Sequence, residues 1–156
     1  MKMAHHIIVT VFVKPEDRIS DPDIESKVMA ALIGLFPFDL SIEKINVQKE
    51  TAEGFEGRKI IIYKIGLFKE SHTTAFIRNL GSKLNQDQKD LLLRQAESRL
   101  DENLDYFIRL GKQELLHGDY YITGSGDCFH TRIGIAAFPK KRETALQVIG
   151  KFFLDK

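Results

Sequence analysis

The chain has 156 residues, 43% of them hydrophobic, which is enough for one domain with a real core. Its 23 Lys and Arg nearly balance 22 Asp and Glu, so the formal net charge is +1; this argues against coating nucleic acid through bulk charge and leaves any anionic partner to a local patch. No run approaches the ~20 apolar residues of a membrane span, and the lone cysteine, Cys128, excludes an internal disulfide framework and a CxxC metal site.

Met1 to Ala4 leads directly into a strand-like segment, without the apolar region of a signal peptide, so a cytoplasmic location is expected. His6 to Lys14 is rich in β-branched residues and reads as a strand, with Ile7, Val9, Val11 and Val13 on one face. Asp21-Pro22 supplies an N-cap followed by proline at the first helical position. Ile24, Val28, Ala31, Leu32 and Leu35 then recur at helical spacing until Pro37. Ser41 to Lys49 alternates as a strand, Thr51 to Gly57 reads as a loop, and Arg58 to Lys69 as a long isoleucine-rich strand. Ser71 is placed to cap a helix carrying Phe76, Ile77, Leu80 and Leu84. Asn85, with Gln88 three residues on, resembles a capping box opening a second helix with Leu92, Leu93, Ala96 and Leu100 on its apolar stripe. Strands are expected near Leu104–Leu110, Tyr120–Thr123 and Phe129–Phe138, the last two forming an antiparallel hairpin across Gly124-Ser125-Gly126-Asp127. A final helix carries Ala145, Val148, Ile149, Phe152 and Phe153.

The order β-α-β-β-α-α-β-β-β-α, with strands adjacent in sequence, favours an α+β fold over a doubly wound one. A single domain spanning 1–156 is expected, with an antiparallel sheet of about six strands and helices packed on one face. The alternation then sorts residues. Leu104, Tyr106, Ile108, Leu110, Phe129, Thr131, Ile133 and Ile135 belong under the helices. The opposite face gathers Phe107, Arg109, Tyr121, His130 and Arg132, with Phe12 from the first strand. Aromatics among arginines suit single-stranded RNA, because bases stack on rings and phosphates pair with cations. The same residues also suit a homodimer or protein-interaction seam.

A second signal is Lys140-Lys141-Arg142, three cations where a helix begins. The amide dipoles there favour anions, so cations at this point suggest a phosphate nearby or a solvated helix end. Enzyme signatures are weak. None of the five histidines has metal-ligand spacing, and neither a cofactor nor a catalytic residue is expected. Cys128 and His130 share a strand face, but no orienting acid accompanies them.

Phe107–Gln113 (FIRLGKQ), Gly118, Asp127 and Ala136–Leu146 (AAFPKKRETAL) resemble the C-terminal signature of an archaeal family of predicted exosome subunits and RNA-binding domain proteins. Arg109, Lys112 and Gln113 match its first motif, and Lys141, Arg142 and Glu143 its last. The chain departs from the pattern at Gly111, where the family has Asp, at Phe138 in place of Tyr, and at Lys140 in place of Ala. Lys14-Pro15-Glu16-Asp17 does not match the relatives' N-terminal motif. The resemblance implies the α+β fold of the ribosomal protein that binds 5S ribosomal RNA. It also implies a non-catalytic RNA-binding role, accessory to an RNA-processing complex. On this reading Arg109, Lys112, Arg132, Lys140, Lys141 and Arg142 contact phosphate, Phe107 and Tyr121 stack on bases, and Gln113 bonds RNA or caps a turn.

Overall fold

A computed structural model describes residues 2–154 of the chain. Five strands form one open antiparallel sheet: β1 (Ala4–Val13), β2 (Gln48–Glu53), β3 (Lys59–Leu67), β4 (Asp105–Gly111) and β5 (Cys128–Ile135), in spatial order β2-β3-β1-β5-β4. The helices are α1 (Pro15–Ser20), α2 (Ile24–Gly34), α3 (Glu70–Lys83), α4 (Gln86–Arg94), α5 (Ala96–Arg99), α6 (Lys112–Leu116) and α7 (Arg142–Gly150). The expected α+β class with a single antiparallel sheet is observed, with five strands rather than six.

Period-two alternation decides which face is covered. Ile7, Val9, Val11 and Val13 of β1, Tyr106, Ile108 and Leu110 of β4, and Phe129, Thr131 and Ile133 of β5 are all buried under the helices. Each fully buried apolar side chain stabilises the fold by about 1.5–3 kcal/mol. Tyr106 anchors the layer: its ring meets Phe152 edge-on at 6.1 Å, and its hydroxyl donates to the Leu92 carbonyl at 3.1 Å. Burial therefore pushes the Tyr106 pKa well up. The capping box at α4 is formed as expected, Asn85 accepting from the Gln88 amide and Gln88 from the Asn85 amide.

The helix caps expected at Asp21 and Ser71 fall instead at Asp23 and Lys69, and four further expectations are corrected. The second strand is Gln48–Glu53, not Ser41–Lys49; it is exposed along its whole length, so it has no apolar alternation to reveal it. It lies at the sheet edge, where charged side chains are compatible with pairing on one side and discourage it on the other. Its turn into β3 uses left-handed residues at Glu56 and Gly57. The helices α1 and α6 are too short to show helical periodicity in the sequence. The fifth strand stops at Ile135 rather than Phe138, ahead of the Phe138-Pro139 peptide.

The fourth correction concerns the C-terminal hairpin. Tyr120–Thr123 does not pair with β5. Ile122 instead bridges Leu110 on the outer edge of β4, while β5 pairs with the inner edge. The 124–127 segment thus passes across the end of β4 instead of turning back on itself. Unpaired backbone groups on the edge of β4 offered this segment a partner that the hairpin reading overlooked. Ile122 is nonetheless buried.

Candidate nucleic-acid interface

Strand register builds the open face row by row. Thr10 is the partner of His130, and His130 of Arg109; in the next row Ile8 faces Arg132, and Arg132 faces Phe107. Paired residues share a face, so Phe107, Arg109, His130 and Arg132 stand together as the sequence predicted. The Phe107 and His130 rings lie 5.3 Å apart, tilted at 43°. Phe12 joins them from β1 and is 44% exposed.

Tyr121 reaches this face by the corrected route. The Gly111 N–H donates to the Tyr121 carbonyl at 2.8 Å, and the Thr123 N–H to the Arg109 carbonyl at 2.9 Å. This sets Tyr121 beside Gly111, so near that a Cβ at residue 111 would lie 3.4 Å from the Tyr121 ring. The ring remains 52% exposed.

Three of these side chains, Phe12, Arg109 and His130, border a groove of about 580 Å³ that Thr10, Lys14, Gly126, Asp127 and Cys128 complete. Arg109 is half-buried, and its guanidinium has no hydrogen bond or ion pair among the described residues. Arg132 has only a loose partner, Asp105 at 3.8 Å. Burial, reinforced by the positive charges of Arg109 and Arg132, lowers the His130 pKa. Burial raises that of Cys128, which disfavours the thiolate a nucleophile needs. No carboxylate bonds His130 among the described residues. The groove is equipped to receive an anion and a flat ring, not to activate a thiol.

Lys112 is the principal revision. Its ammonium is buried at the end of the groove and donates to the Phe12 carbonyl, to Asp17 at 2.8 Å and to Asp127 at 3.0 Å. It joins β1, α1 and the segment before β5, so a ligand phosphate would have to displace these partners. Partial burial raises the Asp17 pKa, but hydrogen bonds from Lys112 and the Lys14 amide, with both lysine charges, outweigh it and hold the carboxyl below its usual range. The sequence held a usable signal: Lys112 continues the even-numbered positions 104, 106, 108 and 110, which are all buried.

The other candidates lie away from the groove. Gln113 is exposed on α6, where its carbonyl contacts the His117 ring at 2.7 Å. Arg142 docks onto the end of α5, donating to the carbonyls of Glu97 and Leu100. A cation opens α7 because a neighbouring helix terminus accepts it. Lys140 and Lys141 are exposed and follow the far end of β5, opposite the groove. Sequence reasoning noted Asp127 only as part of a signature and gave Asp17 no role; their pairing emerges only through the buried lysine.

An open antiparallel sheet backed by helices, with rings and cations on its free face, is the layout of sheet-surface nucleic-acid-binding proteins. The chain belongs to the family described as RNA binding, whose model matches residues 6–135. That span takes in β1 from its third residue and the other four strands, and ends before Lys140. The chain is 28% identical over 146 residues to RNA-binding protein PAB1135 of Pyrococcus abyssi, covering 94% of this chain and 91% of that protein. Crystallised protein AF2318 from Archaeglobus fulgidus, of family DUF54, superposes with a TM-score of 0.80 at 25% identity, covering 96% of this chain and 99% of that one. The DUF54 protein Mth689 from Methanothermobacter thermautotrophicus gives 0.71 at 27% identity, covering 97% and 98%.

Proposed function

We propose that this protein is a non-catalytic RNA-binding protein that lays single-stranded RNA across the open sheet face. The observation that carries the proposal is the half-buried, unpaired Arg109 guanidinium in a groove bordered by the Phe12 and His130 rings, with Phe107 beside His130. Arg109 and Arg132 neutralise phosphates, while Phe107 and Tyr121 offer rings to unstacked bases. Lys140 and Lys141 add a weaker positive field at the far end. Lys112 positions the groove and Arg142 fastens a helix. The family description and the name of the Pyrococcus abyssi relative support RNA as the partner. The sequence motifs extend this reading to a cytoplasmic accessory of an exosome-like RNA-processing complex.

Titration of the purified protein with single-stranded and duplex RNA of equal length tests the proposal. Rings need unstacked bases, so the single strand is expected to bind more tightly. Equal binding of both, or of neither, would refute it. A second reading, a homodimer seam on the same face, draws support from exposed Phe12 and half-buried Ile8 and Ile62. It predicts that Phe107→Ala and Tyr121→Ala shift the protein toward monomer in sedimentation and leave RNA affinity unchanged.

A further inference from the structure

The open face has a second groove, of about 510 Å³, on the other side of β1. Its wall includes Ile8, Lys44, Lys64, Gly66, Phe68 and Lys69. We infer that this groove is a second subsite for the same single-stranded RNA, with Phe68 as its base-stacking platform. The inference rests on the RNA-binding reading above and extends it across the sheet.

Phe68 is 70% exposed, yet it has a defined seat. A Cβ on Gly66 would lie 2.9 Å and 3.1 Å from two atoms of the Phe68 ring, and 3.1 Å from Ile8 Cδ1. The ring therefore rests on bare strand backbone that only glycine provides at this position. Glycine inside a strand costs roughly 0.5–1 kcal/mol relative to alanine. Here it lets one side of a large apolar ring lie against the sheet while much of the ring remains in water. A flat, seated ring open to solvent is what a nucleobase stacks upon.

The charges around it have the matching sign. Lys44, Lys64 and Lys69 line the groove, and none has a protein ion-pair partner among the described residues. The one carboxylate there, Glu43, is engaged by His72 at 2.8 Å. Lys44 holds its position with a φ of 60°, a conformation that glycine or asparagine adopts more readily.

The two grooves are joined by strand register. Lys64 is the partner of Thr10, Thr10 of His130, and His130 of Arg109. This row crosses β3, β1, β5 and β4, three inter-strand spacings or roughly 14 Å at about 4.8 Å each. Cations stand at both ends, with Thr10 and His130 between them. RNA running across the strands along this row would meet Arg109 in one groove, with Phe107 in the neighbouring row, and Lys64 and Phe68 in the other.

The test measures single-stranded RNA of about three and about eight nucleotides against wild type, Phe68→Ala, Gly66→Ala and Arg109→Gln. A short strand fits one groove, whereas the longer one spans both. Phe68→Ala is expected to match wild type on the short RNA held at the Arg109 groove, and to weaken the longer one about tenfold or more. Gly66→Ala keeps the ring but unseats it, and is expected to weaken the longer RNA in the same way. Arg109→Gln should weaken both lengths. Circular dichroism confirms that each variant is folded. If Arg109→Gln weakens binding while Phe68→Ala and Gly66→Ala leave both lengths unchanged, the second subsite is refuted and the first groove stands. If wild type binds neither RNA, the RNA-binding reading falls and this inference with it. If Phe68→Ala alters self-association in sedimentation but not RNA affinity, the surface belongs to a protein contact and the inference is overturned.

Discussion

Replacing Lys112 with methionine separates two roles for one side chain. The chain length is nearly kept, but the Nζ that serves Phe12, Asp17 and Asp127 is lost. Breaking a buried ion pair by removing one member costs roughly 3–5 kcal/mol. The Asp17 and Asp127 side chains are 14% and 32% exposed, so water relieves part of that cost. The expected loss is about 2–4 kcal/mol, or roughly 4–16 °C in Tm for a domain of this size. Its pH dependence is specific. The lowered Asp17 pKa contributes stability in wild type that is present above its unfolded value of 3.8 and lost as pH falls through the folded value. In Lys112→Met the partly buried Asp17 carboxylate loses the contacts that favour its ionised form, so the stability gap between variant and wild type should narrow on acidification from neutral pH. Urea unfolding followed by circular dichroism at neutral and acid pH measures both effects. A loss below about 1 kcal/mol that does not change with pH would refute the buried-pair account. RNA binding supplies a second readout. A folded Lys112→Met should keep the wild-type salt dependence, whereas a drop of about 0.7 in log–log slope would make Lys112 the phosphate contact its motif suggested.

Four further outcomes are expected. Phe107→Ala and Tyr121→Ala should each weaken single-stranded RNA binding by about 1–3 kcal/mol, measured by fluorescence anisotropy, with unfolding midpoints little changed because both rings face the open side. His130 is held below its ordinary pKa of 6.5 by burial and by Arg109 and Arg132, and bound phosphate would offset those charges. RNA binding should therefore take up a proton, affinity should rise as pH falls below about 6.5, and His130→Gln should flatten the rise. Arg142→Gln should lower stability by about 1 kcal/mol through its two lost carbonyl bonds while leaving the RNA salt slope unchanged. Lys140→Gln with Lys141→Gln should leave stability unchanged and reduce the slope slightly.

The sheet was legible where burial is one-sided. In β1, β4 and β5 bulky apolar residues recur at every second position while the charged ones keep to the other parity, so one pass along the sequence assigns both faces and collects Phe107, Arg109, His130 and Arg132 correctly. Strand β2 was displaced because an exposed edge strand carries no apolar pattern; it becomes a strand only by pairing with β3. The glycine-rich 124–127 segment reads equally well as a hairpin turn or as a crossing, since local residue types do not record which edge of β4 is free. Side-chain partners were hidden for a related reason. Lys112 and Arg142 look like free cations in a motif, and their partners are distant in sequence: Asp17 lies 95 residues from Lys112, and Leu100 lies 42 from Arg142. Net charge and local spacing cannot reveal such pairings. The parity of Lys112 with the buried positions of β4 was the one local clue.

The most direct test of the central claim is single-stranded RNA affinity across a salt series, comparing wild type with Arg109→Gln and Arg132→Gln combined. Neither guanidinium makes a hydrogen bond to the protein among the described residues, so folding should be unaffected. If both contact phosphate, the double variant should bind every single-stranded sequence more weakly, and its log–log salt slope should fall by about 1.4. Unchanged affinity and slope in a folded double variant would contradict RNA binding on the open sheet face.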